Sequence, residues 1–85
     1  MKKYYVWYAT AKENDRGERH KSHAFDNFKK AQEWAREKLY DEKSNFEKID
    51  FVFIDEVREY RGEEGNKCEE FIEMYAPHTN GWMRV

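Results

Sequence analysis

The longest regular pattern of apolar positions lies between Asp26 and Asp41. Its apolar residues recur every three or four positions, which places them on one stripe of an α-helix: Phe28, Ala31, Ala35 and Leu39. Asp26 is suited to be the N-cap, because its carboxylate can accept hydrogen bonds from the free N–H groups of the first turn. A helix with one narrow apolar stripe must pack that stripe on another element, and the flanking segments have the character of strands.

Two strands are predicted before this helix. Residues 4–11 are aromatic and β-branched, and they alternate between two faces, with Tyr4, Val6 and Tyr8 on one and Tyr5, Trp7 and Ala9 on the other. Residues 12–19 have the composition of a turn, in which Gly17 can adopt a positive φ. Residues 20–25 are then expected to return as a second, more polar strand at the edge of a sheet.

Residues 49–60 have the strongest strand pattern in the chain. One set of alternating residues is expected to face the helix, namely Ile49, Phe51, Phe53 and Val57, with Val52 and Ile54 on the opposite face. A β-bulge is expected near Asp55 and Glu56, where the alternation is interrupted.

A hairpin loop is predicted at residues 61–66, which carry a glycine at each end of a polar segment. Residues 67–76 follow as a fourth strand. One of its faces carries Cys68, Ile72, Met74 and Ala76, and the other carries Glu69, Phe71, Glu73 and Tyr75. Asn80-Gly81 favours a tight turn, so residues 82–85 can add a short fifth strand.

The short links between neighbouring strands favour antiparallel pairing. The pattern therefore predicts an α+β fold in which a single helix packs on one face of a four-stranded, mainly antiparallel sheet. The order is ββαββ, with an optional short fifth C-terminal strand, and residues 1–85 are expected to form a single domain.

The composition changes the picture of the core. Charged residues make up 40% of the chain and the mean hydropathy is −1.25, values that by themselves are typical of disorder. The net charge is only −2, however, and six Tyr and three Trp join six Phe. Because each aromatic side chain buries about 150–250 Å², we expect an ordered domain with a core built largely from rings.

The charges divide unevenly along the chain. Residues 1–43 carry a net charge of +3 and residues 44–85 a net charge of −5. The single cysteine, Cys68, excludes an internal disulfide. The apolar run near the start is too short for a signal peptide or a membrane span, so a cytoplasmic location is expected.

The histidines are the first candidates for metal ligands. His20 and His23, with His78 or Cys68, could supply metal ligands, but in a strand the first two would point to opposite faces. No metal-binding spacing is present, so we predict no metal and no cofactor.

The sequence also gives no support to the hypothesis that the protein is an enzyme. Glu69 and Glu70 next to Cys68 would raise the pKa of its thiol, which is the opposite of what a nucleophile needs. No pair among the 18 acidic residues is distinguished by its spacing, and residues 62–65 lack the Lys-Ser/Thr of a phosphate-binding loop. We therefore predict that the protein is not an enzyme.

The favoured hypothesis is protein binding, since there are more aromatic residues than one interface between a helix and a sheet can cover. The residues assigned to the binding surface combine rings with the acidic part of the last hairpin: Tyr5, Trp7, Glu63, Glu64, Glu69, Phe71, Glu73, Tyr75 and Trp82. The partner would be a protein with a basic surface, or a second copy of the chain. Small, charged, aromatic-rich proteins of this kind resemble, in general character alone, phage and mobile-element products that inhibit host defence nucleases.

The alternative hypothesis is nucleic-acid binding through the basic residues of the first hairpin and the helix start: Lys12, Arg16, Arg19, Lys21, Lys29 and Lys30. Acidic residues are interleaved with them, and the pI of about 5.9 is far from the basic value of a dedicated nucleic-acid binder. A solvated hairpin is the favoured interpretation of this group. Membrane binding is not expected.

Overall fold

A computed structural model describes residues 1–39, 49–78 and 81–85. Its elements, in chain order, are β1 (Lys2–Thr10), α1 (Ala11–Asp15), β2 (His20–Lys21), α2 (Phe28–Leu39), β3 (Ile49–Arg61), β4 (Lys67–His78) and β5 (Gly81–Arg84). The strands form one open antiparallel sheet in the order β2-β1-β3-β4-β5, so the long strand β3 lies at its centre. The predicted α+β class is confirmed, and the fifth strand is present.

The core lies between α2 and one face of the sheet. Ala31 and Ala35 are fully buried, and they pack with Val6 and Ile54, which are also fully buried, and with Phe25. Two small residues on the helix allow a close approach to the sheet, and partly buried rings from both elements surround this contact: Tyr4, Tyr8, Phe28, Trp34, Tyr75 and Trp82. The predicted stripe is thus confirmed at Ala31 and Ala35, whereas the Leu39 side chain and residues 40–41 fall outside the described residues.

The start of α2 differs from the prediction. The Lys30 backbone N–H donates to Oδ1 of Asn27 at 2.8 Å, so Asn27 rather than Asp26 caps the helix. Asp26 instead accepts a hydrogen bond from Nζ of Lys3 at 3.0 Å. Both residue types make good N-caps, and the contact of Asp26 with β1 decides between them.

The segment predicted as a turn at 12–19 begins with a short helix. A capping box starts α1: the Glu13 N–H donates to Oγ1 of Thr10 at 3.3 Å, and the Thr10 N–H donates to Oε1 of Glu13 at 3.0 Å. Gly17, at φ +76°, then turns the chain towards β2. The predicted strand at 20–25 is also shorter, since only His20 and Lys21 pair as a strand.

The prediction for the faces of β3 is wrong. Val6 pairs with Ile54, so Ile54 and Val52 lie on the face covered by α2, and Phe53 and Val57 lie on the other face. Only the backbone of Ile49 and Phe51 is described. Because β3 is apolar on both faces, alternation alone does not indicate which set meets the helix.

A bulge in β4 also changes the assigned faces. Glu56 pairs with Glu73 and Val57 pairs with Phe71, which leaves Ile72 without an opposite residue on β3. Beyond the bulge the alternation of β4 is inverted. Phe71 and Tyr75 therefore lie on opposite faces, although the sequence pattern placed them on the same one. The predicted bulge is confirmed in position, with its extra residue in β4 rather than β3.

Candidate functional site: the open face of the sheet

The sheet has a second face, directed away from α2, which we call the open face. Strand register and alternation place aromatic, aliphatic and charged residues on it, among them Lys3, Tyr5, Trp7, Lys21, Phe53, Asp55, Val57, Glu69, Phe71, Met74 and Met83. Phe71 retains 58% of its accessible surface and Met83 54%, while the rings of Tyr5, Trp7 and Phe53 are half-buried. Clustered apolar exposure of this kind is typical of an interaction surface.

Asp55 lies at the centre of the open face. It is opposite Tyr5 on β1 and opposite Met74 on β4. Its Oδ1 atom is shielded from solvent and has no hydrogen-bond partner within the described part of the chain. Burial raises the pKa of Asp55, while a hydrogen bond from the Trp7 side chain and the positive charge of Lys21 partly oppose that rise. A polar atom in this condition is costly to the folded state.

Lys21 lies across the rings beside Asp55. Its Nζ atom is 4.1 Å from the centroid of the Tyr5 ring and 5.6 Å from that of Trp7. Both distances fall within the range in which the negative face of an aromatic ring attracts a cation. The aromatic pair on β1 is therefore a surface that accepts positive charge.

Tyr5 is also held at its hydroxyl end. Its O–H donates to Oε1 of Glu69 at 2.6 Å, and this bond is the main reason that the pKa of Tyr5 rises to about 12. The phenol remains a neutral donor at physiological pH, and the contact ties β1 to β4 across the central strand. The Tyr5 ring that faces Lys21 is thus held by the backbone of β1 at one end and by Glu69 at the hydroxyl end.

The residues predicted for partner binding lie on both faces of the sheet and in one loop. Tyr5, Trp7, Glu69 and Phe71 lie on the open face, and Glu63 and Glu64 are exposed in the loop between β3 and β4. The placement of the other three on the open side is wrong. Tyr75 and Trp82 pack against the core under α2, and Glu73 lies on that same face.

The sequence analysis missed several residues of the open face, namely Lys3, Phe53, Asp55, Val57, Met74 and Met83. Asp55 shares its alternation with Phe53 and Val57, so the signal for a carboxylate within an apolar row was present. It could not be recognised while that row was assigned to the helix side. The bulge at Ile72 similarly hid Met74.

The acidic hairpin does not form one acidic surface. Its carboxylates lie on both faces of the sheet, and several have basic partners: Glu56 with Lys2, Glu59 with Lys67, Glu70 with Arg58 and Glu73 with Arg84. The more exposed of these pairs, such as Arg58 with Glu70, contribute little to stability but reduce the local net charge, whereas Glu56 is a buried carboxylate.

The basic residues of the nucleic-acid hypothesis are also divided. Lys21 lies on the open face, whereas Lys29 and Lys30 belong to α2 on the other side of the sheet. Arg16 pairs with Glu18 at 3.0 Å, and Lys12 and Arg19 are exposed in the segment between β1 and β2. The fold therefore does not collect the six residues into one basic stripe.

The histidines contact neighbouring side chains. His20 pairs with Glu13, and the ring of His23 is 4.3 Å from that of Phe25. Residues 1–39, 49–78 and 81–85 contain no group of three or more His, Cys, Asp or Glu side chains arranged to hold a metal ion. The side chain of His78 is outside the described residues.

No family model, curated protein or solved structure matches this chain. Neither helix in the described residues is long and apolar enough to cross a bilayer.

Proposed function

We propose that this chain is a non-enzymatic protein-binding domain whose contact surface is the open face of the sheet. The observation that supports the proposal is the cluster of exposed apolar side chains on that face, led by Phe71 and Met83. Interfaces are enriched in aromatic residues and Met at their centres, which is the composition of this face.

The chemistry of the open face favours binding over catalysis. It combines apolar rings with a central carboxylate, Asp55, and one lysine over the rings, Lys21. A hydrolytic or group-transfer site would need a nucleophile next to a base, or a pair of carboxylates with separated pKa values. The open face offers surface and a charge, which are the requirements for recognition.

Within this proposal the partner is a protein with a basic surface, and a second copy of the chain is the close variant. The narrower hypothesis of a phage inhibitor acting on a host nuclease gains no support from the geometry. Nucleic-acid binding is less favoured, because the basic residues are divided between the two sides of the sheet.

A pull-down from lysate of the source cell tests the proposal. The bait is the full chain, and the test variant combines Phe71→Ala with Met83→Ala. The matched control is Tyr60→Ala, since Tyr60 keeps 44% of its surface exposed but lies on the opposite face of the sheet. We expect a specific protein to be recovered by the wild type and the control and lost by the double variant.

Two further measurements cover the alternatives. Size-exclusion chromatography with light scattering reports a dimer, which the double variant would dissociate. A salt titration of binding to single-stranded DNA reports nucleic-acid affinity, which must fall steeply with salt if phosphates are contacted. The proposal fails if no specific protein or dimer is found, or if Tyr60→Ala has the same effect as the double variant.

A further inference from the structure

We propose that Tyr5, Trp7 and Asp55 form a receptor for one basic side chain of the partner, preferentially an arginine, and that Lys21 is the internal cation that fills this receptor in the isolated chain. The inference rests on the proposed function and specifies the chemistry that the open face selects. It assigns a ligand class to a residue, Asp55, that the sequence pattern did not single out.

The position of Lys21 is the first argument. Its ammonium group lies over two rings of β1, which shows that the aromatic pair accepts a cation at contact distance. Lys21 is exposed and belongs to a strand of only two residues at the sheet edge. Its side chain can therefore rotate into water, where its charge is fully hydrated, when a competing cation arrives.

The second argument is the hydrogen bonding of Asp55. Lys21 acts on Asp55 through its charge, and Oδ1 of Asp55 has no hydrogen-bond partner in the described structure. Asp55 as a whole is partly exposed, but Oδ1 is shielded from solvent in the isolated chain, so an arriving cation must displace Lys21 before it reaches this oxygen. A guanidinium group is planar and carries five N–H donors, so it can stack on Trp7 and donate to a carboxylate at the same time. An ammonium group lacks that planar stacking surface, which is the reason for preferring arginine over lysine.

Charge complementarity also disfavours other occupants. A purely apolar partner would bury Asp55 further and leave it unpaired, which is costly. A second copy related by a two-fold axis at β3 would bring two Asp55 carboxylates together. A phosphate backbone would meet Asp55 and Glu69 with like charge. A cationic side chain is the occupant that satisfies the carboxylate and the rings together.

The experiment uses small peptides and the indole N–H signals of the protein. The probe is the peptide acetyl-Gly-Arg-Gly-amide, and the matched control replaces arginine with citrulline, which has nearly the same shape and no charge. The chain has three tryptophans: Trp7 on the open face, and Trp34 and Trp82 packed against the core under α2. The Trp7 signal therefore reports the site, and the other two serve as internal references.

We expect the arginine peptide to shift the Trp7 indole signal in a saturable way and the citrulline peptide to leave it nearly unchanged. Lys21→Met, which keeps an apolar stem but removes the competing charge, should tighten arginine-peptide binding about two- to fivefold, the range of an exposed cation–π contact. Asp55→Asn should weaken it at least as much. Nitrogen–proton spectra of both variants confirm that the fold is retained.

Two results would overturn the inference. One is a Trp7 signal that does not respond to the arginine peptide in either the wild type or Lys21→Met. The other is an equal response to arginine and citrulline. If either result is found while a partner is still captured through Phe71 and Met83, the cation receptor is rejected and the proposed function is retained. If the arginine peptide binds but no partner protein is captured and no dimer forms, the proposed function is rejected and the cation site is retained.

Discussion

Two adjacent carboxylates on the central strand show how differently the two faces of this sheet are built. Glu56 lies on the face covered by α2 and is only 7% exposed, yet its oxygens meet Nζ of Lys2 at 3.3 Å and the hydroxyl of Tyr75 at 3.4 Å. Asp55 lies on the open face, where Oδ1 is shielded from solvent and has no hydrogen-bond partner among the described residues. The covered face thus pairs its buried carboxylate within the chain, whereas the carboxylate on the open face keeps one oxygen without a described partner.

Under the proposed function, the covered face contributes mainly to the stability of the fold and the open face contributes mainly to binding. A carboxylate that destabilises the free chain and lies among half-buried rings is expected where a surface is shaped for binding rather than for folding. Variants that act on one face only should therefore have different consequences for stability.

The largest expected effect comes from truncating the core on the covered face. Ile54→Ala should lower the free energy of unfolding by about 3 kcal/mol, because Ile54 is fully buried and a cavity would remain. Phe53→Ala, one residue away on the open face, should cost about 1 kcal/mol in spite of its larger side chain, since the ring is already half hydrated. Urea denaturation measures both, and equal losses would show that the open face is part of the core.

The two carboxylates should respond in opposite directions. Glu56→Ala should destabilise the protein by about 1–2 kcal/mol, because it removes the partner of Lys2 and of the Tyr75 hydroxyl. Asp55→Asn should stabilise it by up to about 1 kcal/mol, because a neutral amide is less costly to desolvate than a carboxylate. Thermal unfolding of the two variants compares them, and a loss of stability in Asp55→Asn would mean that the wild-type carboxylate is satisfied.

The smallest expected effect is a pH dependence of the stability that Asp55→Asn gains over the wild type. The pKa of Asp55 is raised in the folded state above its ordinary value of 3.8, so the folded chain binds this proton more tightly than the unfolded chain. The contribution of Asp55 is therefore most favourable below pH 3.8 and is lost as the pH rises through the folded pKa. The advantage of Asp55→Asn should grow over this range and then level off.

Glu13 provides the opposite control for this measurement. The Thr10 backbone N–H and His20 lower the pKa of Glu13 from 4.5 to about 2. Its contribution is present above pH 4.5 and lost as the pH falls towards 2, so Glu13→Gln should differ from wild type at neutral pH and converge with it in acid. Parallel pH profiles for the two variants would contradict the assignment of Asp55.

The sequence by itself determined the features that depend on neighbours along the chain. The stripe of Ala31 and Ala35 marked the helix, because a helical period repeats within a few residues. The alternation of Tyr4, Val6 and Tyr8 marked one face of β1. Asn80-Gly81 predicted a turn before a fifth strand; that strand is present from Gly81, while residues 79–80 lie outside the described residues. The capping box of Thr10 and Glu13 was equally local and would have revealed α1.

Only the tertiary structure decided which surface of the sheet remains open. β3 is apolar on both sides, so its pairing with β1, which sets Ile54 beside Val6, was needed to choose the face that meets α2. The bulge at Ile72 moved Phe71 and Tyr75 to opposite faces. The interrupted alternation near Asp55 indicated the position of the bulge but not which of the two strands carries the extra residue. The site at Asp55 depends on both choices and on Lys21 from a distant strand, because contacts between separated segments form only when the chain folds.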